Sequence, residues 1–233
     1  MANEVPRVQR IDRSDESAII QAIIRDGCCI IKNFTDGDLF PPETRRCTNL
    51  VGRSKTVREK WIVDPLIRKI TRTFIDKTTN YYGETKHTYT SEAILSIAMT
   101  FDISPGAKAQ RLHRDDKNFH VDYEDQTKNR LSFGLLVKLG GLYHAGGANI
   151  TRDEQRIFNG FFFCRGFYRQ EENPYLYNPT KNVLSWSTEV QRIMGYELSS
   201  PNIGFVHFKT PLQHLRGERI EKFGDFDASQ EAK

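Results

Sequence analysis

Ala93-Ile94-Leu95-Ser96-Ile97-Ala98-Met99-Thr100-Phe101, closed by a Pro105-Gly106 turn, is the stretch from which the fold can be read. It is nearly all apolar or β-branched and strand-sized, so it predicts a buried β-strand. Two more candidates follow downstream: 131–137 (Leu-Ser-Phe-Gly-Leu-Leu-Val) and 157–164 (Ile-Phe-Asn-Gly-Phe-Phe-Phe-Cys). Polar connectors rich in Gly and Asn separate them.

Both flanks of this middle are helical in pattern. Residues 12–26 open with Asp and Ser as candidate caps, carry Ala18, Ile19, Ala22 and Ile23 as an apolar stripe, and stop at Gly27. Cys28 to Phe34 then reads as a short buried strand. A second helical stretch spans 54–76, with a break at Pro65 and Leu66, Ile67, Ile70, Phe74 and Ile75 on one face. Helical character returns at 181–194. No repeat or low-complexity linker divides the chain, so one domain over 1–233 is expected. The predicted class is mainly β with flanking helices.

Composition removes several function classes. With 38% hydrophobic and 27% charged residues and a mean hydropathy of −0.58, the chain is that of an ordinary globular protein. No run approaches the ~20 apolar residues of a membrane helix, and Met1 to Arg7 lacks the apolar core of a signal peptide. Cys28, Cys29, Cys47 and Cys164 form no Cys-x-x-Cys pair, which suits free thiols in a reducing compartment. A cytoplasmic location with no membrane partner is therefore expected. The net charge of +4 is too small to argue for nucleic acid. Between Pro42 and Arg72 nine basic residues face three acidic ones, and the reading preferred for this stretch is a solvated helix face.

The chemistry concentrates at His113-Arg114-Asp115. In extended backbone, residues two apart point the same way, so this imidazole and carboxylate can share one metal ion. His120-Val121-Asp122 is a second pair of the same form. A facial triad of two histidines and one carboxylate needs one more imidazole and leaves coordination positions open. His144 is the candidate, set among Gly140, Gly141, Ala145, Gly146, Gly147 and Ala148, small residues that leave space beside its ring. Arg156 follows twelve residues later, at the head of the 157–164 strand. A guanidinium there could clamp a carboxylate through its two-pronged fork, with Arg152 as a rival for the same task.

Three segments carry a family resemblance: Gln110-Arg111-Leu112-His113-Arg114-Asp115-Asp116, Leu142-Tyr143-His144-Ala145-Gly146-Gly147-Ala148-Asn149-Ile150-Thr151, and Phe163-Cys164-Arg165-Gly166-Phe167-Tyr168-Arg169-Gln170-Glu171-Glu172-Asn173. In this order they resemble the phytanoyl-CoA dioxygenase-like group of iron(II)/2-oxoglutarate oxygenases. The similarity is greatest to its fungal secondary-metabolite branch, which oxidises meroterpenoids and alkaloids. Glu43 to Val51, with Arg53 to Thr56, resembles that group's N-terminal signature.

The resemblance implies a double-stranded β-helix, the cupin-like jelly roll. It implies Fe(2+) on His113, Asp115 and His144, with 2-oxoglutarate and O2 as co-substrates. Arg156 would hold the distal carboxylate of 2-oxoglutarate, Gln110 would contact the co-substrate, and Arg46 would line the pocket. A polycyclic terpenoid or alkaloid would be the substrate, with hydroxylation, desaturation, rearrangement or endoperoxidation as the outcome, and the enzyme would be a homodimer. His120 and Asp122 have no counterpart in the family pattern.

One departure is plain. Only Asp116 to Tyr143 separate the aspartate from the second histidine, where family members place several dozen residues. So short a connection leaves room for a roll with missing strands, and the alternative function is a shortened, inactive family member serving as a partner or scaffold subunit.

Overall fold

The computed structural model describes residues 9–26, 29–32, 46–115, 132–134, 138–139 and 144–219. Strand β1 (Arg10–Asp12) leads into helix α1 (Glu16–Asp26), and β2 (Ile30–Lys32) returns parallel to β1. The Asp15 carboxylate accepts the Ala18 N–H at 2.9 Å and so caps α1. Of the stripe expected from the sequence, Ile19, Ala22 and Ile23 are buried and Ala18 is half-buried.

After β3 (Arg46–Cys47) come the short helix α2 (Leu50–Arg53), a π-helical turn (Val57–Trp61) and α3 (Pro65–Ile75). Pro65 starts α3, since the first turn of a helix has no use for its missing N–H. Asp64 caps it, accepting from Leu66 N at 3.0 Å and Ile67 N at 3.3 Å, and pairs with Arg13. The hairpin β4 (Lys77–Tyr82) and β5 (Lys86–Ser91) follows. No apolar alternation marks this hairpin in the sequence, although Thr and Tyr recur through both strands.

The central sheet is antiparallel, in the order β3-β6-β9-β7-β8. Its spine is β6 (Ala93–Ile103) against β9 (Arg156–Arg165), which pair from Ala93↔Arg165 to Ile103↔Arg156. Strands β7 (Ser132–Gly134) and β8 (Lys138–Leu139) complete it. The register shifts between Leu95 and Ile97, as at a bulge. Beyond that shift the faces separate. Ala98 and Phe161, with Leu95 and Phe163, lie in the core beside Ile67, Ile70 and Phe74 of α3. Ile97, Met99, Phe101, Phe158 and Phe162 on the opposite face are only half-buried.

Helices α4 (Pro174–Tyr177), α5 (Thr180–Ser185), α6 (Thr188–Ile193) and α7 (Pro211–Leu215) close the other end of the chain. Val183, Val190, Ile193 and Leu212 join the same core. The class is antiparallel sheet with flanking helices, as the sequence predicts. Among the described residues the sheet is not closed into a barrel. His120 and Asp122 lie outside the described residues, as does most of the segment between Asp115 and His144. No helix among the described residues is long and apolar enough to cross a membrane.

Candidate metal centre

At the Ile103↔Arg156 end of the spine, the chain leaves β6 through Pro105-Gly106. Gly106 sits at φ 76°, a backbone setting that favours glycine. The segment beyond it runs antiparallel to residues 144–149. Gly106 N donates to Asn149 O at 2.8 Å, Asn149 N to Ala107 O at 3.0 Å, and Gln110 N to Gly146 O at 2.9 Å. The ladder ends in a reciprocal pair, His113 N to His144 O and His144 N to His113 O, both 2.9 Å. Directly opposed residues in antiparallel backbone send their side chains to one side, so the ladder delivers both imidazoles to the same place, with ring centroids 4.2 Å apart.

Asp115, two residues beyond His113, faces both rings. His113 Nε2 lies 3.6 Å from Asp115 Oδ1, and His144 Nε2 lies 3.7 Å from Asp115 Oδ2. These distances are long for hydrogen bonds. They fit atoms sharing one ion, since two ligands bound at about 2.1 Å stand at most about 4.2 Å apart. Ligand atoms of all three residues lie within 4.8 Å of one another, and among the described residues no other His, Cys, Asp or Glu group is so arranged. His113 Nδ1 is 2.8 Å from Arg111 O. A carbonyl only accepts, so this contact puts the proton on Nδ1 and leaves the Nε2 lone pair for a metal. The three side chains keep 34%, 30% and 27% of their surface exposed, so the site is open to small molecules. Two nitrogens, one carboxylate oxygen and an open side suit a facial-triad ion such as ferrous iron.

The remaining predicted residues fall into two groups. Gln110 and Arg156 both brace the segment that follows His144: Gln110 Oε1 accepts from Gly146 N at 2.9 Å, and Arg156 Nη2 donates to Gly147 O at 2.6 Å. Arg46, by contrast, lies exposed on β3, its backbone paired with Phe101. Arg152 is exposed in the loop before β9. Several cations of the basic stretch are engaged within the fold: Arg68 is buried 3.7 Å from Glu189, Arg72 lies 3.8 Å from Glu92, and Arg58 donates to Val51 O at 2.9 Å.

Asn149 carries a role that its sequence context alone does not reveal. Only 5% exposed, it donates through Nδ2 to Ile103 O and Glu154 O, both at 2.8 Å. Its Oδ1 accepts from Thr151 N at 3.3 Å and Thr151 Oγ1 at 2.7 Å. One side chain therefore ties the end of β6, the His144 segment and the approach to β9 together. The local signal was the Asn149-x-Thr151 pair, which forms an Asx-type turn.

The chain is similar to fungal proteins named dioxygenase. Dioxygenase swnH1 of Arthroderma benhamiae is 26% identical, over 77% of this chain and 74% of its own length. Dioxygenase peniF of Penicillium patulum is 24% identical, over 76% and 74%. An uncharacterized protein of Saccharomyces cerevisiae, YJR154W, is 23% identical over 86% and 79%. No family model matches the chain. Set beside the two-histidine, one-aspartate cluster, the dioxygenase names of the Arthroderma and Penicillium relatives support an oxidoreductase.

Proposed function

We propose that the protein is an iron(II)/2-oxoglutarate-dependent dioxygenase of the phytanoyl-CoA dioxygenase-like group, with a jelly-roll core, acting on an apolar polycyclic natural product such as a terpenoid or alkaloid in the reducing cytoplasm. The observation that carries this reading is the His113–His144 backbone pair with Asp115 facing both rings. His113, Asp115 and His144 would hold the ferrous ion. When bound, iron supplies dioxygen activation coupled to decarboxylation of 2-oxoglutarate, with succinate and carbon dioxide released.

The chain's own residues do the positioning. Asn149 and Gln110 fix the His144 segment against the His113 segment, so the ligands are held in place before any metal arrives. Arg156 keeps hydrogen-bonding capacity beyond its bonds to Gly147 and Ala148. It binds the distal carboxylate of 2-oxoglutarate, and Arg46 lines the outer pocket. The strand alternation places Arg156 on the same side of the sheet as Phe158, Phe101, Met99 and Ile97. That half-buried apolar face is the floor on which a bulky substrate lies and from which water is excluded. Gly160 supports this shape: a Cβ there would come within 2.8 Å of the Phe162 ring and 3.0 Å of Phe101.

The test is turnover. Purified protein with iron(II), ascorbate and 2-oxoglutarate should release succinate, faster with an oxidisable substrate and not at all when His113 or His144 is replaced by alanine. Iron binding without any 2-oxoglutarate consumption would favour the inactive partner subunit instead.

A further inference from the structure

The dioxygenase reading of the metal centre, on which this inference rests, puts the substrate on the sheet face that carries Arg156, Phe158 and Phe101. That face continues onto β3. Arg46 pairs directly with Phe101, and Phe101 in turn with Phe158. Directly opposed residues in antiparallel strands send their side chains to one side, so Arg46, Phe101 and Phe158 form a row across three strands. The next residue, Cys47, is opposite Thr100, which is buried on the core side, as alternation along a strand requires.

Charge on this face has one sign. Along β3, β6 and β9, the residues that share it between Ile97 and Ile103 are apolar apart from Arg46 and Arg156. Asp102 alternates to the other face, opposite Ile157. The two cations differ in what they touch. Arg156 is tied to Gly147 O at the metal end. Arg46 is exposed, and among the described residues nothing pairs with its guanidinium. Strands lie ~4.8 Å apart and rise ~3.4 Å per residue, so two strands across and two residues along set the arginine backbones about 12 Å apart.

Between these cations the Phe101 and Phe158 rings stack with centroids 4.8 Å apart. An unpaired guanidinium at the edge of an aromatic floor selects an anion with an apolar body, and its planar fork matches the two oxygens of a carboxylate. A phosphate site gathers backbone N–H groups at a helix N-terminus or nest, and β3 offers neither. A protonated amine would be repelled by both arginines.

We propose that the substrate is a polycyclic carboxylic acid, its ring body lying on Phe101 and Phe158 and its carboxylate received by Arg46, which thereby determines specificity. Anchored there, the acid turns its other end towards the metal centre. Calorimetric titration of the full chain with 2-naphthoate tests this, with 2-naphthamide as the neutral analogue of the same shape. Naphthoate should bind at least tenfold more tightly than the amide. Arg46→Gln should abolish that preference, Arg46→Lys should keep part of it, and Arg156→Gln should leave it in place. Because Arg46 is exposed, the glutamine variant should fold, as circular dichroism would verify, and the comparison of the two probes on the parent needs no variant. No binding of naphthoate at millimolar concentration, equal affinity for both probes, a preference that survives Arg46→Gln, or one lost in Arg156→Gln overturns the proposal. The titrations contain neither iron nor 2-oxoglutarate, so they read Arg46 independently of turnover; failure of the dioxygenase reading shows instead as absent iron binding or absent succinate release.

Discussion

Replacing Asn149 by alanine removes the side chain that ties three segments of the metal centre together. Four hydrogen bonds disappear: two donated to Ile103 O and Glu154 O, and two accepted from Thr151. A typical intramolecular hydrogen bond contributes about 1 kcal/mol net. Thr151 and Glu154, the partners in three of the four, are exposed and recover water, so the loss is about 1–2 kcal/mol rather than the full sum of four. That energy bears on the ladder holding His144 opposite His113, so metal affinity should fall by roughly 5- to 30-fold. Anaerobic calorimetric titration with iron(II), with thermal melting by circular dichroism alongside, reads both effects. A folded Asn149→Ala protein whose iron affinity stays within twofold of the parent would refute this latching role.

Arg156→Ala should raise the 2-oxoglutarate concentration needed for half-maximal turnover by tenfold or more while metal affinity changes less; a change confined to Arg152→Ala would reassign the clamp. Phe163 is fully buried, so Phe163→Ala should cost about 3–5 kcal/mol and lower the melting temperature by many degrees. Cys164 is buried and its thiol is pushed up to about 12 by that burial, so in the native state at pH 8 a thiol reagent should spare it and label it only on unfolding. Burial also raises the Asp76 carboxyl, which accepts the Ala93 N–H at 2.8 Å. A raised carboxyl binds its proton more tightly in the folded state, so its charge costs stability above the raised value. Asp76→Asn should therefore be more stable than the parent at neutral pH, and that advantage should fade as pH falls through the raised value towards 3.8, as denaturant titrations at several pH values would read.

Much of the scaffold was legible because its elements advertise themselves locally. The stripe of Ile19, Ala22 and Ile23 and the apolar runs of β6 and β9 each match one structural period. The sequence suggests a break at Pro65 inside one helix, but the backbone uses it as a first residue, with Asp64 as the cap. The β4–β5 hairpin escaped notice because it buries little: every residue of β4 is exposed, so no apolar alternation marks it. At the site, His113 and Asp115 are two apart and could be paired by eye. Their meeting with His144 depends on a backbone ladder between segments thirty-one residues apart, which no local pattern encodes. Asn149 was hidden for the same reason, since its partners at 103, 151 and 154 converge only in the fold.

The most direct measurement is metal stoichiometry. Anaerobic equilibrium titration with iron(II) should give one ion per chain, and single alanine variants at His113, Asp115 and His144 should each reduce that binding by orders of magnitude without unfolding the protein. Undiminished binding in all three variants, or no specific ferrous ion in the parent chain, would contradict the assignment.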